Sequence, residues 1–166
     1  MTTIEELTPH HFKQVAGWLS QKEINRWLTS EWRNREGNPS ILAIAARNRK
    51  NRLFLVRSDG EPCGLVGLAD IDLADHTAMV WYLLGEARYA RRGVTSDAVR
   101  QMADVAFREM GLASVYAWIM EDNLASRRVL EKSGFRECGR IRNAASSSGK
   151  QVDRVYFDLI PPRSSS

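Results

Sequence analysis

The sequence has 166 residues and a net charge of +4, and its 43% apolar and 27% charged residues are globular values that suit one domain. Its apolar runs are shorter than the roughly 20 residues of a membrane span, and the acidic N-terminus and two cysteines, Cys63 and Cys138, predict a cytoplasmic protein with reduced thiols. The basic residues form no block of five or more, which argues against nucleic acid as the main partner.

The first third of the chain is predicted to be mainly helical. Residues 3–7 are a short strand, and Thr8 followed by Pro9 is the pattern of a helix start, with Thr8 as the N-cap. Residues 39–49 form another predicted helix.

Tryptophans are concentrated around the predicted short helices of residues 20–35. Three of the five in the chain, Trp18, Trp27 and Trp32, fall within fifteen residues. Packing of short helices explains such a cluster. The alternative, which stays open, is that Trp27 and Trp32 form the aromatic wall of a binding pocket, because amphipathic rings suit such pockets.

From residue 53 the apolar residues alternate with a period of two. Residues 53–56, 64–71 and 77–84 predict an antiparallel meander of three strands. Further strands are predicted at 114–120, 135–141 and 152–160, with a helix at 124–133 that the segment ending in Asn123 caps. The serine- and alanine-rich residues 143–151 are predicted to be a flexible hairpin loop.

A basic turn joins the strand that ends at Leu84 to a helix that closes at Gly111. Arg91 and Arg92 stand directly before Gly93 in this turn. The first N–H groups of a helix have no intrahelical partner and the helix dipole is positive there, so this place suits an anion such as pyrophosphate. A solvated basic turn with an ordinary cap explains the same residues, and the turn alone does not decide between the two.

Two segments resemble the GCN5-related N-acetyltransferase (GNAT) family. The first is Gly-Val-Thr-Ser-Asp-Ala at 93–98, and the second, 123–135, begins with Asn-Leu-Ala-Ser and ends in Glu-Lys-Ser-Gly-Phe. The second segment, with Gly-Lys-Gln-Val-Asp at 149–153, is similar to the branch that contains ribosomal-protein alanine N-acetyltransferases. The match covers roughly residues 53–160, and the first third of the chain fits only in pattern.

The resemblance implies one mixed α/β domain over residues 1–160 and a disordered tail at 161–166. Its mostly antiparallel seven-stranded sheet would be splayed in the middle and flanked by about four helices, with acetyl-CoA in the splay between the strands that end at Leu84 and Met120. The implied cofactor-binding residues are Leu83, Leu84, Arg91, Arg92, Gly93, Val94, Thr95, Ser96, Asn123, Ser126 and Lys132.

The sequence departs from the family pattern at three positions. Ala90 stands where the family loop usually has Gln or Arg, and Thr95 stands where it often has Gly or Ala. Leu130 stands where many relatives carry a tyrosine that acts as general acid towards the departing thiolate. The resemblance therefore supplies no general acid for this chain.

Acetylation of an amine requires a proton acceptor, because an amine with a pKa of about 10 is mostly protonated at neutral pH. Glu121, at a strand end, is the predicted base, and Tyr82 and Tyr116 are predicted members of a proton relay. Each has an ordinary explanation as well, which is a solvated carboxylate for Glu121 and core packing for the tyrosines. We predict no metal, because turn chemistry explains the aspartates of residues 70–75.

The sequence thus predicts an N-acetyltransferase that moves an acetyl group from acetyl-CoA to a primary amine in a ternary complex. The acceptors that stay open are a protein N-terminus, an amino sugar and an aminoglycoside-like antibiotic, bound by Trp27 and Trp32. A catalytically weak CoA-binding module with a regulatory role is the alternative, motivated by Ala90, Thr95 and Leu130. The protein is expected to be a monomer or a homodimer.

Overall fold

The computed structural model describes residues 1–33 and 37–163 and contains one seven-stranded sheet in the order β1-β2-β3-β4-β5-β7-β6. Every neighbouring pair of strands is antiparallel except β4 and β5, which confirms the predicted mostly antiparallel sheet. The strands are β1 (Thr2–Glu6), β2 (Arg52–Ser58), β3 (Glu61–Asp72), β4 (Thr77–Leu84), β5 (Ser114–Met120), β6 (Arg136–Ser147) and β7 (Lys150–Leu159).

Six α-helical segments flank the sheet in the described part of the chain. They are α1 (Phe12–Ser20), α2 (Lys22–Asn25), α3 (Ser30–Arg33), α4 (Pro39–Arg47), α5 (Val94–Asp104) and α6 (Leu124–Lys132). Because α2 and α3 are single turns of four residues, the four longer helices correspond to the expected number. None of these helices is long and apolar enough to cross a membrane.

The chain enters α1 differently from the prediction. Pro9–His11 forms a 3-10 turn, and α1 begins only at Phe12. Thr8 lies at the N-cap position of this 3-10 turn with Pro9 directly after it, as predicted, but its side chain makes no capping hydrogen bond. Residues 34 and 35 of the predicted 20–35 section lie outside the described residues, as does residue 36.

The two faces of the sheet carry separate cores. On one face, α5 and α6 pack against apolar side chains such as Val66, Val80 and Val155. On the other face, α1 and α4 pack against Leu55, Leu65 and neighbouring leucines. The alternation of side chains along each strand therefore separates the layers, as the period of two predicts.

The β6–β7 hairpin is longer and more regular than predicted. The prediction of a flexible loop at 143–151 is wrong, because β6 continues to Ser147 and β7 begins at Lys150. The turn is Ser148 and Gly149, both with positive φ, which suits the twist of a tight hairpin. Contacts with other elements fix the tip: the Ser147 hydroxyl donates to Asp122 at 3.0 Å, and the Arg33 side chain donates to the Ser146 carbonyl at 3.1 Å.

The sheet opens between β4 and β5, as predicted. These parallel strands pair over three positions, the last of which joins Met79 to Tyr116. β4 then runs on to Leu84 and β5 to Met120 without a pair between them. The tail prediction for 161–166 stays a prediction: β7 ends at Leu159, and residues 164–166 lie outside the described part.

Candidate active site

The edge of β4 that faces the opening carries free backbone groups. The Gly85 N–H donates to the Cys63 carbonyl at 2.7 Å, on the side of β3. Hydrogen-bonded pairs alternate along an antiparallel ladder, so Leu83 also bonds to β3, whereas the N–H and C=O groups of Tyr82 and Leu84 point towards β5. The opening thus begins with an unpaired strand edge at these two residues.

The facing edge of β5 is open in the same way. The Glu121 N–H donates to the Asp153 carbonyl of β7 at 3.0 Å. By the same alternation, the backbone groups of Trp118 and Met120 point towards β4. An extended ligand with amide groups has hydrogen-bonding partners on both sides of this gap.

The N-terminus of α5 lies beyond the end of β4 and offers a row of free N–H groups. Gly93 is its N-cap, with φ of 78°, and Arg91 is also left-handed, with φ of 62°. The first turn closes with the Asp97 N–H donating to the Gly93 carbonyl at 2.9 Å. Within the described residues, the N–H groups of residues 91–96 have no acceptor from the protein, so they are available to an anion.

One cleft of about 1150 Å³ connects this helix start, the gap between β4 and β5, and the region of α2 and α3. Most of the predicted binding residues line it, and Arg92 alone of that set lies outside the lining, with its guanidinium 5.6 Å from the centre of the Tyr89 ring. Those in the lining are Trp27, Trp32, Leu83, Leu84, Arg91, Gly93, Val94, Thr95, Ser96, Asn123, Ser126 and Lys132. Arg128, which the sequence did not single out, joins Arg91 and Lys132 to make the helix end of the cleft basic.

Asn123 connects the cleft to the stability of α6. It is 9% exposed and is the N-cap of that helix, and its side-chain oxygen accepts the Ser126 N–H at 3.2 Å. The side-chain amide NH₂ has no acceptor among the described residues, which leaves it free to donate to a ligand in the cleft.

Replacement of Asn123 by alanine is expected to lower the free energy of unfolding by about 1 kcal/mol, because α6 loses its cap, and the melting temperature by roughly 2–4 °C. Asn123→Ser is the matched control, because serine is also a good N-cap but has no amide donor. We expect Asn123→Ser to keep the melting temperature and to weaken ligand binding, measured by calorimetry with CoA. Equal melting temperatures for the alanine variant and the wild type would contradict the capping role.

Tyr82 lines the cleft, but its hydroxyl is already engaged. It donates to the Ser126 carbonyl at 3.1 Å, and burial raises the pKa of Tyr82 far above its usual value. A phenol with so high a pKa is a poor proton donor to a thiolate and no base at neutral pH. The contact joins β4 to α6, and the relay role of Tyr82 stays a prediction.

Glu121 and Tyr116 lie outside the lining of the cleft. The Glu121 carboxylate accepts the Asp153 N–H at 3.1 Å and forms an ion pair with Arg140 at 3.4 Å, on the β6–β7 side of β5. Burial, with the nearby Asp70 carboxylate, raises the pKa of Tyr116. Their catalytic roles stay predictions, and the geometry brings neither side chain to the gap.

Two further tryptophans extend the aromatic wall that Trp27 and Trp32 begin. Met79 and Tyr116 are paired, so Trp81 and Trp118, two residues further along β4 and β5, lie on the same face on opposite sides of the gap. The rings of Trp32 and Trp81 are 5.5 Å apart. Strand alternation could have placed Trp81 on this face from the sequence, but the pairing of β4 with β5 was needed to bring Trp118 opposite it.

The cleft also has carboxylates that the sequence did not assign to it. Glu23 and Glu31 line the end near α2 and α3, and Asp70 lines it at a bulge of β3 between Ala69 and Asp72. A bulge re-aims the side chain that it carries. Asp70 follows Ala69, the partner of Met79, so it lies next to the point where β4 and β5 part.

A model of the family described as Acetyltransferase (GNAT) domain matches residues 2–136. The chain is similar to the probable N-acetyltransferase YjcK of Bacillus subtilis (strain 168), with 36% identity over 106 residues, 63% of this chain and 58% of YjcK. It is also similar to the putative ribosomal N-acetyltransferase YdaF of the same organism, with 30% identity over 102 residues, 61% of this chain and 55% of YdaF. The matched part of the chain thus spans little more than half the length of either relative.

The fold is similar to that of the spermidine N-acetyltransferase from Vibrio cholerae, whose crystal structure is a complex with CoA and spermine. The TM-score is 0.81 at 16% identity, and the comparison covers 96% of this chain and 95% of the other. At this identity the likeness shows a shared fold and leaves the ligands to be argued from the cleft itself.

Proposed function

We propose, since this chain belongs to the GNAT acetyltransferase family, that it transfers an acetyl group from acetyl-CoA to the nitrogen of a primary amine. One observation carries the proposal: the gap between the open edges of β4 and β5 is continuous with the free N–H groups at the start of α5. A ligand with a pyrophosphate at one end and an amide-bearing arm at the other fits both parts.

The pyrophosphate of acetyl-CoA would bind at the N-terminus of α5. The N–H groups of residues 91–96 would donate to its oxygens, and the helix dipole would favour its negative charge. Gly93 permits close approach of the backbone, because its conformation is left-handed and no side chain stands there. Arg91, Arg128 and Lys132 would add charge at the same end.

The pantetheine arm would lie between the two strands. Its amides would pair with the backbone groups of Tyr82 and Leu84 as an added strand does, with Met120 opposite. Asn123 and Ser126, at the start of α6, would contact the arm from the α6 side. The thioester would then lie near the point where β4 and β5 part, at the entrance to the end of the cleft that the tryptophans line.

Reaction begins when the neutral amine attacks the thioester carbonyl, which forms a C–N bond and an oxyanion. Whichever N–H of Tyr82 or Leu84, on either side of Leu83, the arm leaves unpaired would stabilise the oxyanion. Collapse of the oxyanion then breaks the C–S bond and releases the CoA thiolate. Holding both substrates together supplies much of the rate enhancement. The amine proton would pass to water or to Asp70, whose carboxylate lines the cleft next to the point where β4 and β5 part.

The position at which many relatives carry the general acid is occupied here by Leu130, which has no proton to donate. Leu130 is fully buried in the core under α6, so it contributes packing only. We propose that the thiolate leaves without a dedicated acid or takes a proton from water in the cleft. The unpaired thiols of Cys63 and Cys138 support the further proposal that the protein works in the cytoplasm.

Acetyl-CoA is expected to stabilise the protein. At a concentration of about 30 times its Kd, binding adds about 2 kcal/mol to the free energy of unfolding, which raises the melting temperature by roughly 4–8 °C. Thermal-shift measurements with acetyl-CoA and with adenosine, which lacks the pyrophosphate and the arm, check this. Thiol release in the presence of primary amines then tests transfer. Equal melting temperatures with and without acetyl-CoA would refute the proposed function.

A further inference from the structure

Arg154, on β7, carries a buried donor that the protein does not use. Its Nε atom has no hydrogen-bond partner among the described residues, although the atom is buried. The guanidinium stacks on Trp118 at 4.0 Å from the ring centre. Buried unpaired donors are rare in native structures because they cost stability, so each one needs an explanation.

The position of Arg154 in the sheet places it at the aromatic end of the cleft, where the acceptor amine would bind. It pairs with Met120 across the β5–β7 ladder, and paired residues share a face. Trp118 lies on that face at the gap, opposite Trp81, and Arg154 lines the same cleft. The Trp118 ring therefore lies between the guanidinium and the gap between β4 and β5, where the amine would meet the thioester.

The charge of Arg154 is not neutralised by a neighbour in the described part of the chain. The carboxylates that line the cleft, Glu23, Glu31 and Asp70, form no ion pair with it. Arg140 on β6 differs, since Asp153 lies 3.0 Å from it. A planar guanidinium with free donors in a cleft is a binding site for an oxygen, above all for a carboxylate.

We infer that Arg154 binds an oxygen of the acceptor, and that the acceptor is an amine with a carboxylate or carbonyl oxygen beside its amino group, as in an amino acid. The inference rests on the proposed function and names the substrate class of that site. The four tryptophans that line the cleft, Trp27, Trp32, Trp81 and Trp118, suit an apolar or aromatic side chain on such an acceptor. A polyamine brings only positive charge towards Arg154, so it is the disfavoured class.

Two probes that differ only in the carboxylate test this assignment. Phenylalanine and phenethylamine are compared as acceptors by the rate of thiol release from acetyl-CoA. We expect kcat/KM to be at least tenfold higher for phenylalanine, a ratio of the size that one charge-assisted contact supplies. Phenylalanine amide separates the two oxygen sources. Because its amino group has a lower pKa than that of phenylalanine, each probe is scored by the factor that Arg154→Gln removes from its own kcat/KM. The amide loses the same factor as phenylalanine if a carbonyl suffices, and a smaller factor if the carboxylate is needed. Spermidine is expected to be the poorest acceptor.

Arg154→Gln is expected to bring the ratio of phenylalanine to phenethylamine close to one while the KM for acetyl-CoA stays within about twofold. Arg154→Lys, which keeps the charge and loses the planar fork, is expected to retain part of the preference. Arg136→Gln on β6 is the matched control, because Arg136 is exposed and outside the lining of the cleft. Melting temperatures of all variants report whether they are folded.

A wild-type ratio of one or below, or a ratio that Arg154→Gln leaves unchanged, overturns the inference. Such a result is distinct from failure of the proposed function, because acetyl-CoA would still stabilise the protein and phenethylamine or spermidine would still release thiol. Loss of acetyl-CoA stabilisation in the wild type would instead remove the proposed function, and the inference with it.

Discussion

Replacement of Gly93 by glutamate is expected to raise the KM for acetyl-CoA at least 100-fold. The new carboxylate would stand among the free N–H groups of residues 91–96, where it would occupy their donors and repel a pyrophosphate. A 100-fold loss corresponds to about 2.7 kcal/mol of cofactor binding. Initial rates with varied acetyl-CoA measure it.

The same substitution is expected to leave the fold in place. An added Cβ at Gly93 meets no atom within 4 Å, so the change costs only the strain of a non-glycine residue at φ of 78°, about 1–2 kcal/mol. Gly111 gives a matched control beyond the C-terminal end of this helix, after the π-helical turn Val105–Glu109 that continues α5. Its φ is 66° and an added Cβ there is equally unobstructed. We expect Gly111→Glu to show a similar loss of stability with an unchanged KM. If Gly93→Glu and Gly111→Glu had equal KM values for acetyl-CoA, the assignment of residues 91–96 to pyrophosphate binding would be wrong.

Local patterns along the chain predict the elements around the part of the cleft that would hold the cofactor. β5 has the predicted bounds, because its apolar and aromatic run lies between clear turn signals. The start of α5 was recognisable because Gly93 and the arginines before it are contiguous in the chain. Features of this kind depend on neighbours in sequence, so they can be predicted without knowledge of the packing.

The part of the cleft that would bind the acceptor amine depends on pairs of residues that are distant in the chain. Trp81 and Trp118 come together through the short parallel ladder, and Arg154 meets Trp118 through the β5–β7 ladder. The extension of β6 and β7 to the tip of their hairpin was missed for a related reason: the serines and alanines of this segment favour a loop by composition, and the contact of Ser147 with Asp122 overrides that tendency. No local signal in the sequence carries these contacts.

Replacement of Gly85 by alanine is expected to destabilise the protein by about 3 kcal/mol, at the upper end for an overpacked core, and to lower the melting temperature by roughly 6–12 °C. Gly85 follows β4, and the Trp18 ring lies directly on it: an added Cβ would lie 2.1 Å from the ring atom Cδ2. Trp18 cannot easily move, because it is only 3% exposed and its Nε1 donates to Glu86 at 2.9 Å. Thermal and urea unfolding measure the loss.

A double-mutant cycle separates this clash from other effects of the methyl group. In a Trp18→Leu background the ring is gone, so Gly85→Ala should cost less than about 1 kcal/mol there, and the coupling between the two sites should be about 2 kcal/mol. Gly17→Ala is the matched control, since an added Cβ at this helical position meets nothing within 4 Å and should stabilise α1 by about 0.5–1 kcal/mol. The junction between β4 and the basic loop also matters for function, because Gly85 leads from the open edge of β4 into that loop. An equal penalty for Gly85→Ala in both backgrounds would show that the ring does not set the position of this junction.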